Sequence, residues 1–271
     1  MPYTSANTNL NLKMFPPTSK NVFIVADNPT VRKQEDFNGL LILILYEPDA
    51  IFHHRQLVID NHRNFDYIFT YDQHILNACS NARLYLWGGT WIEQSTYNNM
   101  NLSRKQPKIS CLSGMKERTP AHTFRKMLYK SQKSLSFLPI TWFRSSKDRV
   151  LLPKIGDNPV IGDSKDPLFL DYQYSVAIEN CRENNYFTEK LLDCLLTKTI
   201  PIYYGCLNIS TWFDTRGWII LENTTIQEFR VKCSRLPNYA AHINVINENH
   251  ERAKNYVDLS VNLQRVMNFG D

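Results

Sequence analysis

The sequence predicts an α/β protein built on parallel strands. Three stretches carry that prediction. Residues 172–205, YQYSVAIENCRENNYFTEKLLDCLLTKTIPIYYG, read as strand, polar loop, helix and strand, a crossover long enough to return a parallel strand. Leu40 to Tyr46 is continuously apolar, as a strand covered on both faces is. Between Val22 and Gly89, short apolar runs alternate with helical and turn patterns, the pattern of a first α/β domain.

In chain order, residues 1–20 are polar and carry Pro16-Pro17, and read as an extended arm. Val22 to Ala26 is a strand that ends at Asp27-Asn28-Pro29. Leu40 to Tyr46 is the second strand, and Glu47-Pro48 stops it because proline cannot continue a central ladder. Residues 50–62 are expected as a helix carrying His53, His54 and His62. Tyr67 to Thr70 is a strand, Asp72 to Ala78 a short helix, and Leu84 to Trp87 a strand before Gly88-Gly89. Residues 93–107 are polar and finish at Pro107, which sets the expected domain boundary: 1–107 and 108–271.

Ile109 to Leu112 opens the second domain, Ser113-Gly114 turns the chain, and a helix is expected from Pro120 to Lys133. Residues 144–168 are rich in Gly, Pro and Asp and read as loops. In the central unit, Tyr174 to Ile178 is a strand that ends on Glu179 and Asn180. A helix starts near Thr188, with Leu191, Leu192, Leu195 and Leu196 on its apolar side. Ile200 to Tyr204 is the next strand and closes on Gly205. Trp218 to Leu221 is one more strand, and residues 225–234, 237–257 and 261–267 are expected as helices.

The chain has 271 residues and is 43% apolar, enough for two modest packed domains. Its net charge of +5 is small and spread out, with no long Lys/Arg block, so nucleic acid is not an expected partner. The six cysteines contain no CxxC, and several lie in apolar segments. They read as reduced core thiols, which suits the cytoplasm. The apolar run at Leu40 is too short to span a bilayer, and no charged leader opens the sequence. Any membrane contact is expected to be peripheral.

Several kinds of site find no support. The seven histidines form no HExxH and no zinc-spaced pair with cysteine. There is no DxD; the nearest approach is Glu47-Pro48-Asp49. GxGxxG, GxxxxGK[ST] and GxSxG are all missing. Glu179, Asn180, Glu189 and Lys190 are different, because open α/β sheets bind ligands beyond the carboxyl ends of their strands. A carboxylate there can hold the hydroxyls of a ribose, and a lysine in the first helical turn can meet a phosphate. The same residues also suit an ordinary first turn of a helix, and spacing alone does not choose. Gly205 can equally be no more than a turn residue.

The segment AIENCRENNYFTEKLLDCLLTKTIPIYYG resembles the donor-binding signature of the α-1,3-fucosyltransferases, glycosyltransferase family 10. Glu179-Asn180, Tyr186, Thr188-Glu189-Lys190, Pro201, Tyr203 and Gly205 match it. Phe187 replaces the usual valine, and Ile178 the usual aromatic. LILILYEPD, followed by Phe65 to Asp72, resembles the first-domain pattern more faintly.

The resemblance implies a GT-B fold, two Rossmann-like domains facing each other across a cleft. It implies GDP-fucose as donor and a glycan as acceptor; the missing DxD and histidine cluster leave no metal or other cofactor expected. Glu189 would hold the ribose and Lys190 the diphosphate. Glu179 and Asn180 would lie close to the sugar, with Tyr186, Thr188 and Gly205 in the same binding block. The base would fall at Glu47. One departure stands out: the family's diphosphate arginine falls near Ala121, with Arg118, His122 and Arg125 as nearby substitutes. Another GDP- or UDP-sugar, or a non-catalytic binding protein of the same fold, stay open on that account.

Overall fold

The computed structural model describes residues 21–33, 38–86, 88–114, 116–146, 155 and 157–268. The arm expected at 1–20, and Trp87, lie outside the described residues. Four parallel strands form a first sheet in chain order: β1 (Asn21–Ala26), β2 (Gly39–Ile44), β3 (Tyr67–Thr70) and β4 (Ala82–Leu84). β2 is covered on both faces, as its apolar run requires. Leu41 and Leu43 pack with Val58 and Ile75, while Ile42 and Ile44 pack with Phe69, Tyr85 and Leu263.

The helix expected over 50–62 is two helices, α1 (Asp49–Phe52) and α2 (Arg55–Asn61). His53 breaks it by taking a left-handed conformation, φ 52°. Asp49 Oδ1 then accepts from the Arg55 N–H at 2.7 Å, which starts the second piece. α3 (Gln73–Ala78) is capped by Asp72, whose carboxylate accepts from the N–H groups of His74 and Ile75. The strand expected at Leu84 to Trp87 lies two residues earlier, as β4. α4 (Gln94–Asn98) comes next, and its Tyr97 packs with the core of the second sheet.

The second sheet is also parallel, in the order β10-β9-β8-β5-β6-β7. Its strands are β5 (Gln106–Ser113), β6 (Ile140–Ser145), β7 (Val160–Ile161), β8 (Tyr172–Ile178), β9 (Ile200–Tyr204) and β10 (Ile219–Ile220). β6 and β7 correct the loop reading of 144–168. β6 ends on the polar pair Arg144-Ser145 and β7 has only two residues, so neither makes a strong apolar run. The β8–β9 pairing runs from Tyr174↔Ile200 to Ile178↔Tyr204, the parallel unit expected from 172–205.

The helices are α5 (Pro120–Lys130), α6 (Glu189–Leu196), α7 (Ile226–Cys233) and α8 (Ile243–Lys254). Phe124, Leu128 and Phe229 cover one face of the sheet, and Leu191, Leu192 and Ala253 the other. The last helix, α9 (Leu259–Asn268), returns Leu263 to the first sheet. The proposed division into 1–107 and 108–271 falls inside β5, whose Gln106 already pairs with Tyr172 in the second sheet, and α4 and α9 pack across it. All six cysteines are free, and every one but Cys181 is buried. No helix among the described residues is long and apolar enough to cross a membrane.

Candidate functional site

The order of the second sheet creates a crevice. From β5 the chain moves outward through β6 and β7, and then returns to β8 on the other side. β5 and β8 are neighbours whose following helices, α5 and α6, lie on opposite faces. Such a switch point is where open parallel sheets bind ligands. A cleft of about 740 Å³ opens here. Leu112 at the end of β5 and Gly114, Lys116, His122 and Arg125 after it line one side, and Asn180, Tyr186, Thr188, Glu189 and Lys190 line it after β8. The carboxyl edge of the first sheet closes the far side with Asp27, Tyr46, Glu47 and Phe52.

Thr188 organises the start of α6. Its hydroxyl caps the helix, accepting from the Lys190 N–H, and donates to Glu179 Oε2 at 2.6 Å. The Thr188 N–H donates to Glu179 Oε1 at 2.8 Å. Lys190 Nζ lies 2.9 Å from Glu189 Oε1, 3.0 Å from the Thr188 hydroxyl and 3.6 Å from Glu179 Oε2. Burial disfavours the Lys190 charge, but the two carboxylates outweigh it and raise its pKa. Burial likewise works against the Glu189 charge, and Lys190 outweighs it, leaving the carboxyl below its usual range. Both groups stay charged at neutral pH.

Glu179 does not reach the cleft. It is fully buried, and burial pushes its carboxyl up, with Lys190 pulling it back. The expected catalytic placement of Glu179 is therefore corrected: it sits behind the wall and fixes the start of α6. Gly205 explains itself in the same place. A Cβ there would stand 2.5 Å from Glu179 Cγ and 2.6 Å from the Tyr203 hydroxyl, so glycine is what lets Glu179 fit. Gly205 is not among the cleft-lining residues.

On the α5 side, Thr119 caps the helix and its hydroxyl lies 2.8 Å from His122 Nδ1. Burial, then the charges of Arg125, Lys116, Lys190 and Arg118, pushes His122 down to about 3, so the ring is neutral. Arg125 Nη2 donates to Asn180 Oδ1 at 3.0 Å. Asn180 Nδ2 in turn faces Glu47 Oε2 at 3.4 Å, across the cleft. Arg118 is exposed and outside the lining. Lys116, two residues before it, lines the cleft in its place, and nothing in the sequence pattern singles it out.

Contacts across the seam hold the two walls together. Tyr71 and Tyr186 rings are 4.9 Å apart. Arg55 bonds Asp72 at 2.6 Å and reaches Glu183 at 3.5 Å. Asp193, buried on α6, accepts from the Thr90 hydroxyl at 2.6 Å and the Trp91 N–H at 3.0 Å. Trp91 is thereby set in the cleft wall. No cluster of three metal-ligating side chains occurs among the described residues.

No family model matches the chain. The Helicobacter pylori α-(1,3)-fucosyltransferase FucT is 24% identical over 96 residues, which is 35% of this chain and 18% of that protein. The crystal structure of an α1,3-fucosyltransferase aligns over 89% of this chain and 78% of its own, at 15% identity and a TM-score of 0.47. The crystal structure of TarM aligns over 92% of this chain and 55% of its own, at 13% identity and a TM-score of 0.60. The chain therefore spans about half of TarM, and the architecture they share is the GT-B fold.

Proposed function

We propose that this protein is an inverting glycosyltransferase that moves L-fucose from GDP-fucose to a glycan hydroxyl. One observation carries the reading. A cation-bearing wall with Glu189 faces a carboxylate, Glu47, across a cleft large enough for a nucleotide sugar. The partial match to FucT supports the same donor class.

In this reading the diphosphate lies between the starts of α5 and α6. Lys190, Arg125 and Lys116 meet its charge. Glu189 turns to the ribose hydroxyls, which frees Lys190 for the phosphate. Glu47 takes the proton from the acceptor hydroxyl as its oxygen attacks the anomeric carbon, and the bond from that carbon to the diphosphate breaks. Charge grows on the departing GDP, so cations fixed beside it stabilise the transition state more than the ground state. Side chains supply this charge, so activity should not depend on an added metal.

Calorimetry with GDP, UDP and GDP-fucose, together with GDP release from GDP-fucose, tests the reading. Saturable binding of GDP and not UDP is expected, with turnover. Binding of UDP and not GDP would replace the donor, and binding without any turnover would make the protein a binding homologue.

A further inference from the structure

The cleft contains a second carboxylate on the side of the first sheet, and no bound substrate is needed to see what it does. Asp27 comes directly after the last residue of β1 and takes a left-handed conformation, φ 49°. That region is costly for most side chains and is visited mainly by Gly, Asn and Asp. The backbone turns there with its N–H still bonded to the Ile44 carbonyl at 2.9 Å. Its side chain is thereby aimed along the end of β2. Asp27 Oδ1 accepts from the Tyr46 N–H at 2.8 Å and the Glu47 N–H at 3.2 Å.

β2 ends at Ile44, Leu45 bonds Phe69, and Pro48 has no N–H to give. Asp49, next along, caps α2 through the Arg55 N–H. Glu47 therefore stands between a strand end and a helix start, and Asp27 holds the peptide on which it is mounted. Its carboxylate then faces Asn180.

We propose that Asp27 is a positioning residue for Glu47, holding its backbone so that the carboxylate stands where it can take the acceptor proton. This rests on the reading of Glu47 as the base. The titratable groups facing Asp27 are Glu47, on the loop after β2, and Tyr71, after β3. Burial raises the Asp27 carboxyl to about 6, opposed by its two N–H bonds and aided by the Glu47 charge. Below that pH Asp27 takes a proton and becomes a weaker acceptor, so the hold on Glu47 loosens.

The test is the release of GDP from GDP-fucose, with water as acceptor, at saturating donor from pH 5 to 9. The variants are Asp27→Gly, Asp27→Asn and Glu47→Gln. Glycine accepts the φ and removes the carboxylate, so kcat falls about tenfold or more while the KM for GDP-fucose stays unchanged. Asparagine keeps an oxygen for both N–H bonds, so most of kcat at pH 8 remains and the acid-side fall near pH 6 disappears. A thermal melt and GDP affinity check folding, since the GDP wall is on the other side of the cleft. Normal kcat in Asp27→Gly beside an inactive Glu47→Gln overturns the positioning role alone. Asp27→Asn as inactive as Glu47→Gln would make Asp27 the proton acceptor and overturn it too. Near-normal turnover in Glu47→Gln removes the base reading, and this inference with it.

Discussion

The first sheet brings carboxylates to its edge of the cleft, Asp27 and Glu47, while the second brings Lys116, Arg125 and Lys190. Both edges are carboxyl ends of parallel strands, so the backbone rule is the same. The difference lies in the helix that comes after each strand. After β5 and β8 come helices of eleven and eight residues that start at the crevice, each capped there by a threonine. After β2 comes a four-residue helix with Asp49 in its first turn. One wall suits an anion, and the other suits a proton acceptor. Keeping them apart matters, because a cation beside a carboxylate lowers its basicity. Asn180, a neutral amide, stands between Glu47 and Arg125 at 3.4 and 3.0 Å.

The contrast breaks most sharply at Glu47. Glu47→Gln keeps the shape and removes the base, so transfer falls at least about a hundredfold while GDP binding persists. The check is kcat beside calorimetry, and lost GDP binding would place Glu47 in the nucleotide wall instead.

Lys190→Ala tests the opposite wall. A charge-assisted contact is worth about 1.5–3 kcal/mol, so GDP affinity should weaken about 10- to 100-fold. The loss should be smaller with GMP, which lacks the second phosphate. Equal losses for both would move Lys190 away from the diphosphate.

Two neighbouring cations sharpen the comparison further. Lys116→Ala, a partly screened charge in the lining, should cost GDP affinity about two- to fivefold, less at high salt. Arg118→Ala, exposed and outside the lining, should leave affinity unchanged. The reverse ranking by titration would mean that the α5 approach is read wrongly.

The seam between the walls has its own pH dependence. Burial pushes the Asp193 carboxyl up to about 8. A folded-state value above the unfolded one stabilises the fold fully below the unfolded value. That contribution is lost as pH rises towards 8. Asp193→Asn keeps an acceptor for Thr90 and Trp91 without the charge. Its Tm should exceed the parent's by about 2–4 °C at pH 8, for each kcal/mol gained, and the gap should close towards pH 4. A constant gap across that range would remove Asp193 as its source. The smallest expected effect is that of EDTA, which should leave turnover unchanged; manganese-dependent recovery after a full loss would bring an ion into the cleft.

Much of the second sheet was legible because its pattern is local. Ile200 to Tyr204 is a strand as expected, and Thr188 caps α6 as a threonine before Glu-Lys should. Helix α5 starts at Pro120 and stops three residues short of the expectation. Glu189, Lys190 and Arg125 reach the cleft because α5 and α6 start beside it. Less legible were elements set by contacts distant in sequence. β7 exists only through its pairing with β6, and two residues make no pattern. His53 splits a helix because Asp49 supplies two caps, one from its backbone and one from its side chain.

The sequence by itself determined the α/β class, most strands and the residues at the start of α6, because periodicity and capping act over a few residues. Only the tertiary structure decided which polar residues face the cleft. It put β5 beside β8, which made the crevice. It put Glu179 behind the wall and Lys116 in it, and turned Arg118 out to solvent. The physical reason is that a side chain's role at a sheet edge depends on which strand lies alongside, and that pairing is settled by burial of both faces of the sheet at once.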